Sequence, residues 1–107
     1  MTIQILHYEF LGPIKLSEWG PPMDKVVYII FNQNKSGFIP LHAGESDKTD
    51  QKDFFTQNDN FKCWIQHAGN EESLYLAILP LWESEAPERK RIVDKIIYKY
   101  RPLCQTE

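Results

Sequence analysis

Six cations crowd one late stretch of the chain: Arg89, Lys90, Arg91, Lys95, Lys99 and Arg101. Guanidinium and ammonium groups so close together can meet phosphate oxygens, and they equally suit a helix face turned to water. His7, His42 and His67 form no visible constellation in the sequence. Cys63 and Cys104 lack the C-x-x-C spacing of a metal or redox motif, and two cysteines make no disulfide framework. They are expected to be reduced, with Cys63, beside Trp64, acting as a small core residue. The carboxylates Glu45, Asp47, Asp50 and Asp53 bunch mid-chain, but their spacing singles out no metal site. No Gly-rich phosphate loop, His-Glu-x-x-His pair or Gly-x-Ser-x-Gly elbow is present. Trp19, Trp64 and Trp82 suit the core or a covered edge, and an exposed one would stack on a base.

These groups sit in an ordinary globular composition. The 107 residues are 42% hydrophobic and 25% charged, and the 13% aromatic content gives large buried side chains. One domain with one core is expected. The net charge of −3 does not mark the whole surface for nucleic acid, but it is uneven. Residues 1–60 hold eight acids and five bases, whereas residues 61–107 hold seven of each. No apolar run reaches the ~20 residues of a membrane span. Met1-Thr2-Ile3-Gln4 has neither the basic nor the apolar region of a signal peptide, so a cytoplasmic location is expected.

The elements that must position the chemistry can be read from pattern. Gln4 to Phe10 favours a short edge strand, Gly12-Pro13 and Gly20-Pro21-Pro22 mark breaks after it, and Ile14 to Trp19 is expected as an extended loop. Val26 to Phe31 is a run of β-formers suited to a strand buried on both faces. Phe38 to Ala43 returns antiparallel to it, and Pro40 calls for a free edge or a bulge. Ser46 and Asp47 are expected to cap a helix from Lys48 through Phe54 and Phe55, and a second helix spans Phe61 to His67 before Gly69. Leu74 to Leu79 is the third strand. Ser84, Pro87 and Glu88 open a last helix that carries Val93, Ile96, Ile97 and Tyr100 on one face and Arg91, Lys95 and Tyr98 opposite. The expected fold is α/β, an α+β sandwich. It has a small three-stranded, largely antiparallel sheet flanked by helices in the order β-β-α-α-β-α. Residues 1–23 form an N-terminal extension packed on a domain of residues 24–105.

Three stretches resemble the GIY-YIG nuclease family. Val26-Val27-Tyr28 stands where that family has Gly-Ile-Tyr, and Leu41-His42-Ala43-Gly44-Glu45-Ser46 resembles its Tyr-Val-Gly strand. Val93-x-x-Ile96-Ile97-x-x-Tyr100-Arg101-Pro102-Leu103-Cys104-Gln105 is similar to its closing helix. Such enzymes hydrolyse DNA phosphodiesters with a tyrosine, an arginine and one divalent metal held by a glutamate.

Carried over residue by residue, the resemblance implies a remnant site. Tyr28 matches the first tyrosine, and His42 replaces the second, where an imidazole retains base chemistry. Gly44 is kept. Lys52 falls where the arginine stands, with the charge but without the planar fork. Gln105 replaces a final asparagine, and Arg91 and Lys95 are candidate binding residues. Val93 falls at the glutamate position, and a hydrocarbon cannot hold Mg²⁺. Asp94 is turned ~100° away around the helix. No metal and no cofactor are therefore expected. The implied function is a non-catalytic or strongly impaired GIY-YIG-like domain that binds a nucleic acid, a nucleotide or a protein. The alternatives are a divergent Mg²⁺-dependent DNA/RNA endonuclease and a protein-interaction or oligomerisation module.

Overall fold

The computed structural model describes residues 2–18, 24–34, 37–48 and 61–104. These form strands β1 (Thr2–Ile5), β2 (Tyr8–Lys15), β3 (Asp24–Asn34), β4 (Gly37–Lys48) and β5 (Leu74–Pro80), with helices α1 (Phe61–Ala68) and α2 (Ala86–Tyr100). The strands make one five-stranded sheet in the order β1-β2-β5-β3-β4, and all four neighbouring pairs are antiparallel. The expected three-stranded sheet and β-β-α-α-β-α order are thus corrected.

The difference begins at the N-terminus. Residues 2–15 are two strands of the sheet and not an extension packed on it. Leu6-His7 turns the chain back, with Leu6 at φ 58°, so Thr2 pairs with Leu11 and Ile5 with Tyr8. β2 then runs straight through Gly12-Pro13, where the sequence suggests a break. The register of β2 against β5 shifts between Leu11 and Ile14, so the missing Pro13 N–H falls within an irregularity of the ladder. Gly12 fits there because a Cβ would lie 2.6 Å from the Leu76 carbonyl oxygen.

β4 is also longer than its sequence signals suggest. Gly44, Ser46 and Lys48 pair with Tyr28, Val26 and Asp24, so Ser46 to Lys48 continue the strand and do not cap a helix. The rest of that expected helix, with Phe54 and Phe55, lies outside the described residues, as does Trp19. Ile14 and Lys15 belong to β2 and Leu16–Glu18 form a 3-10 helix, so the loop expected there is corrected, and Trp82 is exposed and not a core or covered-edge residue. Other readings agree with the structure. Val26 to Phe31 is buried on both sheet faces, Pro40 lies on an edge strand beside a register shift, and Gly69 N–H closes α1 on Ile65 O at 2.8 Å.

The two helices cover opposite faces of the sheet. Ile92, Val93 and Ile96 of α2 pack with Phe10, Val27, Ile29, Phe31, Ala43 and Leu79. Trp64 of α1 packs with Val26, Tyr28, Ile30, Leu41, Leu76 and Cys104. Each such buried aliphatic or aromatic side chain contributes roughly 1.5–3 kcal/mol relative to exposure, which is what holds both helices on the sheet. After α2, Arg101 adopts φ 48°, and the chain passes the β4 edge. Leu103 N–H donates to Pro40 O at 3.3 Å and Cys104 N–H to Leu41 O at 2.7 Å. Cys104 therefore arrives on the α1 side, where it is bonded to Cys63 in a disulfide. The expectation of two free thiols is corrected: a wrap around the sheet edge joins residues separated by 41 positions.

Candidate functional site

Alternation along β3 and β4 decides which of the expected site residues meet. Tyr28 pairs with Gly44 and Ile30 with His42, so Tyr28, His42 and Gly44 share the α1 face. The Tyr28 and His42 rings are 6.0 Å apart, and His42 lies 5.3 Å from the Trp64 ring. Gly44 leaves space for the phenol: a Cβ on it would sit 2.6 Å from the Tyr28 hydroxyl and 2.7 Å from Cζ. This gives Gly44 a packing reason within the sheet.

Burial sets the protonation of this cluster. It pushes the Tyr28 phenol up to about 12, with the Glu45 carboxylate adding to the effect. The hydroxyl stays protonated at neutral pH. Burial lowers the His42 pKa, against a smaller opposing pull from a hydrogen bond to the Cys104 backbone. Among the described residues, His42 Nδ1 and Trp64 Nε1 are buried without a hydrogen-bond partner.

Val93 lies on the other side of the sheet. It is 8% exposed and belongs to the apolar cluster beneath α2. The sheet thus separates Val93 on the closing helix from Tyr28 and His42, so the described residues of the implied remnant site do not all meet. Asp94 is exposed, as its helical angle requires. Lys52 and Gln105 lie outside the described residues.

The group that does connect α2 to the β3–β4 hairpin is Arg89. It is 1% exposed, so it does not belong with the solvent-facing bases among which the sequence places it. Its Nε donates to Glu45 Oε2 at 2.8 Å, and Nη1 donates to the Ser84 carbonyl and hydroxyl oxygens, both at 3.0 Å. Ser84 in turn donates to Leu81 O at 2.6 Å, while Glu85 occupies the N-cap of α2. One buried cation thereby spans the helix start and β4.

Arg91 and Lys95 lie one turn apart on the outer face of α2, away from Tyr28 and His42. With Lys99, Asp94 and Tyr98, and with Leu6 and His7 from the β1–β2 turn, they line an open cleft of about 550 Å³. Tyr98 is 81% exposed. Over residues 86–101 the exposed charges are Lys90, Arg91, Lys95, Lys99 and Arg101 against Glu88 and Asp94. The excess of cations is local, because the whole chain is net negative. The cations are evident in the sequence; the β1–β2 turn that completes the cleft is not.

A third grouping was invisible in the sequence. The ligand atoms of Cys63, His67 and Cys104 all lie within 4.8 Å of one another. The signal available was Cys63-x-x-x-His67, an i, i+4 pair on α1, but its third member comes from beyond α2. Among the described residues, no helix is long and apolar enough to cross a membrane. No family model matches this chain, and neither a curated protein nor a solved structure matches it.

Proposed function

We propose that this protein is a non-catalytic binding domain whose α2 surface takes a single-stranded nucleic acid. The observation that carries the reading is the joint placement of Arg91, Lys95, Lys99 and exposed Tyr98 in one open cleft beside His7. Cations at this spacing neutralise successive phosphates, and an exposed phenol ring offers a platform for a base. Asp94 is the one acid in that lining.

Two features support the absence of hydrolysis. Val93, at the position where the GIY-YIG resemblance calls for a metal ligand, is packed among hydrocarbons. Tyr28 keeps its proton at neutral pH and faces away from α2, which disfavours a role in activating water.

Fluorescence anisotropy of a labelled single-stranded oligonucleotide, titrated at low and at moderate salt, tests the reading. Binding is expected to weaken steeply as salt rises, with a slope of about −0.7 per neutralised phosphate. The pair Arg91→Glu and Lys95→Glu is expected to abolish it, and Tyr98→Ala to weaken it roughly 5- to 150-fold. No anisotropy change at low salt, or binding indifferent to the charge reversals, refutes the proposal. The same oligonucleotide incubated with Mg²⁺ or Mn²⁺ is expected to remain intact. Cleavage that Tyr28→Phe abolishes would restore the endonuclease reading.

A further inference from the structure

We propose that Cys63, His67 and Cys104 form a divalent-cation site in the reduced protein, taking a zinc-class ion through two thiolates and one imidazole. The Cys63–Cys104 disulfide is then the oxidised, metal-free state of the same site. This inference is independent of the α2 cleft, which lies on the opposite face of the sheet.

Three hydrogen bonds, two between backbone groups and one from the Asn32 side chain, hold the ligand-bearing segments without involving the disulfide. Cys63 and His67 are one turn apart on α1, so their side chains leave the same helix face. The end of that helix is fastened to the sheet by Asn32, whose Nδ2 donates to His67 O at 3.3 Å. It is closed by the Gly69 N–H on Ile65 O at 2.8 Å. Cys104 is set by its own N–H on Leu41 O at 2.7 Å, on the edge strand. The three positions therefore stay together when the sulfur–sulfur bond opens.

Distances suit the ion. Zinc–sulfur bonds of about 2.3 Å and zinc–nitrogen bonds of about 2.0–2.1 Å in a tetrahedron place ligand atoms roughly 3.5–3.8 Å apart. The ligand atoms here lie within 4.8 Å of one another, so an inward movement of about an ångström by the imidazole completes the set. The two sulfurs move apart once reduced, with their Cα atoms 5.8 Å from each other. Two thiolates and an imidazole match the borderline-soft preference of zinc and are poor ligands for Mg²⁺ or Ca²⁺.

Access and partners agree with this use. Cys104 is buried, Cys63 is half-buried and His67 is exposed, so an ion enters from solvent on the His67 side. Among the described residues the His67 ring makes no hydrogen bond. Three protein ligands leave a fourth position for water or a small anion.

The redox step balances with a reductant of the phosphine class. The phosphine takes up the oxygen of one water and becomes its oxide, and the disulfide becomes two thiols. Cation binding then releases those two protons and leaves two thiolates.

The test uses the full chain, reduced with a water-soluble phosphine, desalted without oxygen and titrated with Co²⁺. A 1:1 complex is expected, with sulfur-to-cobalt charge-transfer absorption and visible bands of tetrahedral cobalt; Zn²⁺ should displace it. The oxidised chain should show none of these bands. His67→Ala is exposed and should fold, and it is expected to weaken the complex by at least about 100-fold, since even outer-sphere partners are worth 10- to 100-fold. His67→Cys should retain tight binding. Circular dichroism of the reduced chain, with and without the ion, separates loss of fold from loss of site. The proposal is overturned if the folded reduced chain gives no charge-transfer band. It is also overturned if two chains share each ion, if His67→Ala binds as tightly as the parent, or if reduction unfolds the chain and the ion does not restore it.

Discussion

Arg89 on α2 and Glu45 on β4 form a 2.8 Å ion pair that is buried at one end and half-open at the other. The Arg89 side chain is 1% exposed and that of Glu45 is 19%. The asymmetry matters because the cost of losing a partner is the cost of the charge left behind. Glu45→Gln removes the countercharge from a buried guanidinium that keeps its Ser84 hydrogen bonds, and is expected to cost about 3–5 kcal/mol. Arg89→Met leaves a carboxylate that can turn to water, and methionine fills the stem's space, so its cost is expected to be clearly smaller. Urea denaturation of both variants reads the order; equal losses, or the reverse order, contradict the placement.

Tyr28 and Gly44 are a cross-strand pair in which a ring takes the space of a missing side chain. Gly44→Ala drives a methyl group into the Tyr28 ring and is expected to destabilise by about 1–3 kcal/mol. Tyr28→Phe does not relieve it, because Cζ is itself 2.7 Å from the position that an alanine methyl would occupy. Tyr28→Val removes the whole ring, so Gly44→Ala should cost less in that background. A double-mutant cycle on thermal or urea stability measures the coupling. Strict additivity would mean the ring does not rest on Gly44.

His42 makes stability depend on acid. Its pKa is lowered from 6.5 in the folded protein by burial, so the unfolded chain takes up a proton first as the pH falls. Stability is therefore full above about pH 6.5 and declines below it until the folded-state pKa is reached, with a slope of up to about 1.4 kcal/mol per pH unit. His42→Gln is expected to flatten this part of the profile. Denaturation midpoints measured across the acid range, in parent and variant, check the sign; a parent that gains stability on acidification contradicts it.

Val93→Glu separates the family resemblance from the packing. A carboxylate at 93 would enter the apolar layer beneath α2, with a loss of roughly 2–4 kcal/mol expected. It should gain no Mg²⁺-dependent cleavage, because the sheet stands between it and Tyr28. Thermal unfolding and an oligonucleotide cleavage assay read the two halves, and a gain of cutting would show that the two positions communicate.

The disulfide closes a loop across 41 positions, which in the chain-entropy account contributes about 4 kcal/mol. Cys63→Ser and Cys104→Ser are expected to lower stability by similar amounts, since either one opens the same loop. Scanning calorimetry under oxidising conditions compares them. A parent whose melting is unchanged by reductant would mean the loop is held by packing alone.

Much of the local structure was legible because it is written at short range. The β-former run at Val26 to Phe31, the apolar face of Val93 and Ile96, and the Pro87 and Glu88 start signal each depend on neighbours within a few residues. Gly12-Pro13 misled because the same dipeptide that stops a strand in isolation is accommodated by a bulge when β5 lies alongside. Ser46 misled because its capping chemistry lost to continued pairing with Val26. Arg89 looked like one more surface base, since nothing local says that Glu45, 44 positions away, points at it.

The residue pattern alone settles that this chain builds strands and an amphipathic last helix, and that its late segment carries a local excess of cations. Tertiary structure alone decides that Tyr28 and Val93 face opposite ways, that the first strands join the sheet and that Cys104 reaches Cys63 and His67. The reason is physical: side-chain period and capping act over one or two turns, whereas strand order and the wrap past β4 depend on which distant surfaces bury one another.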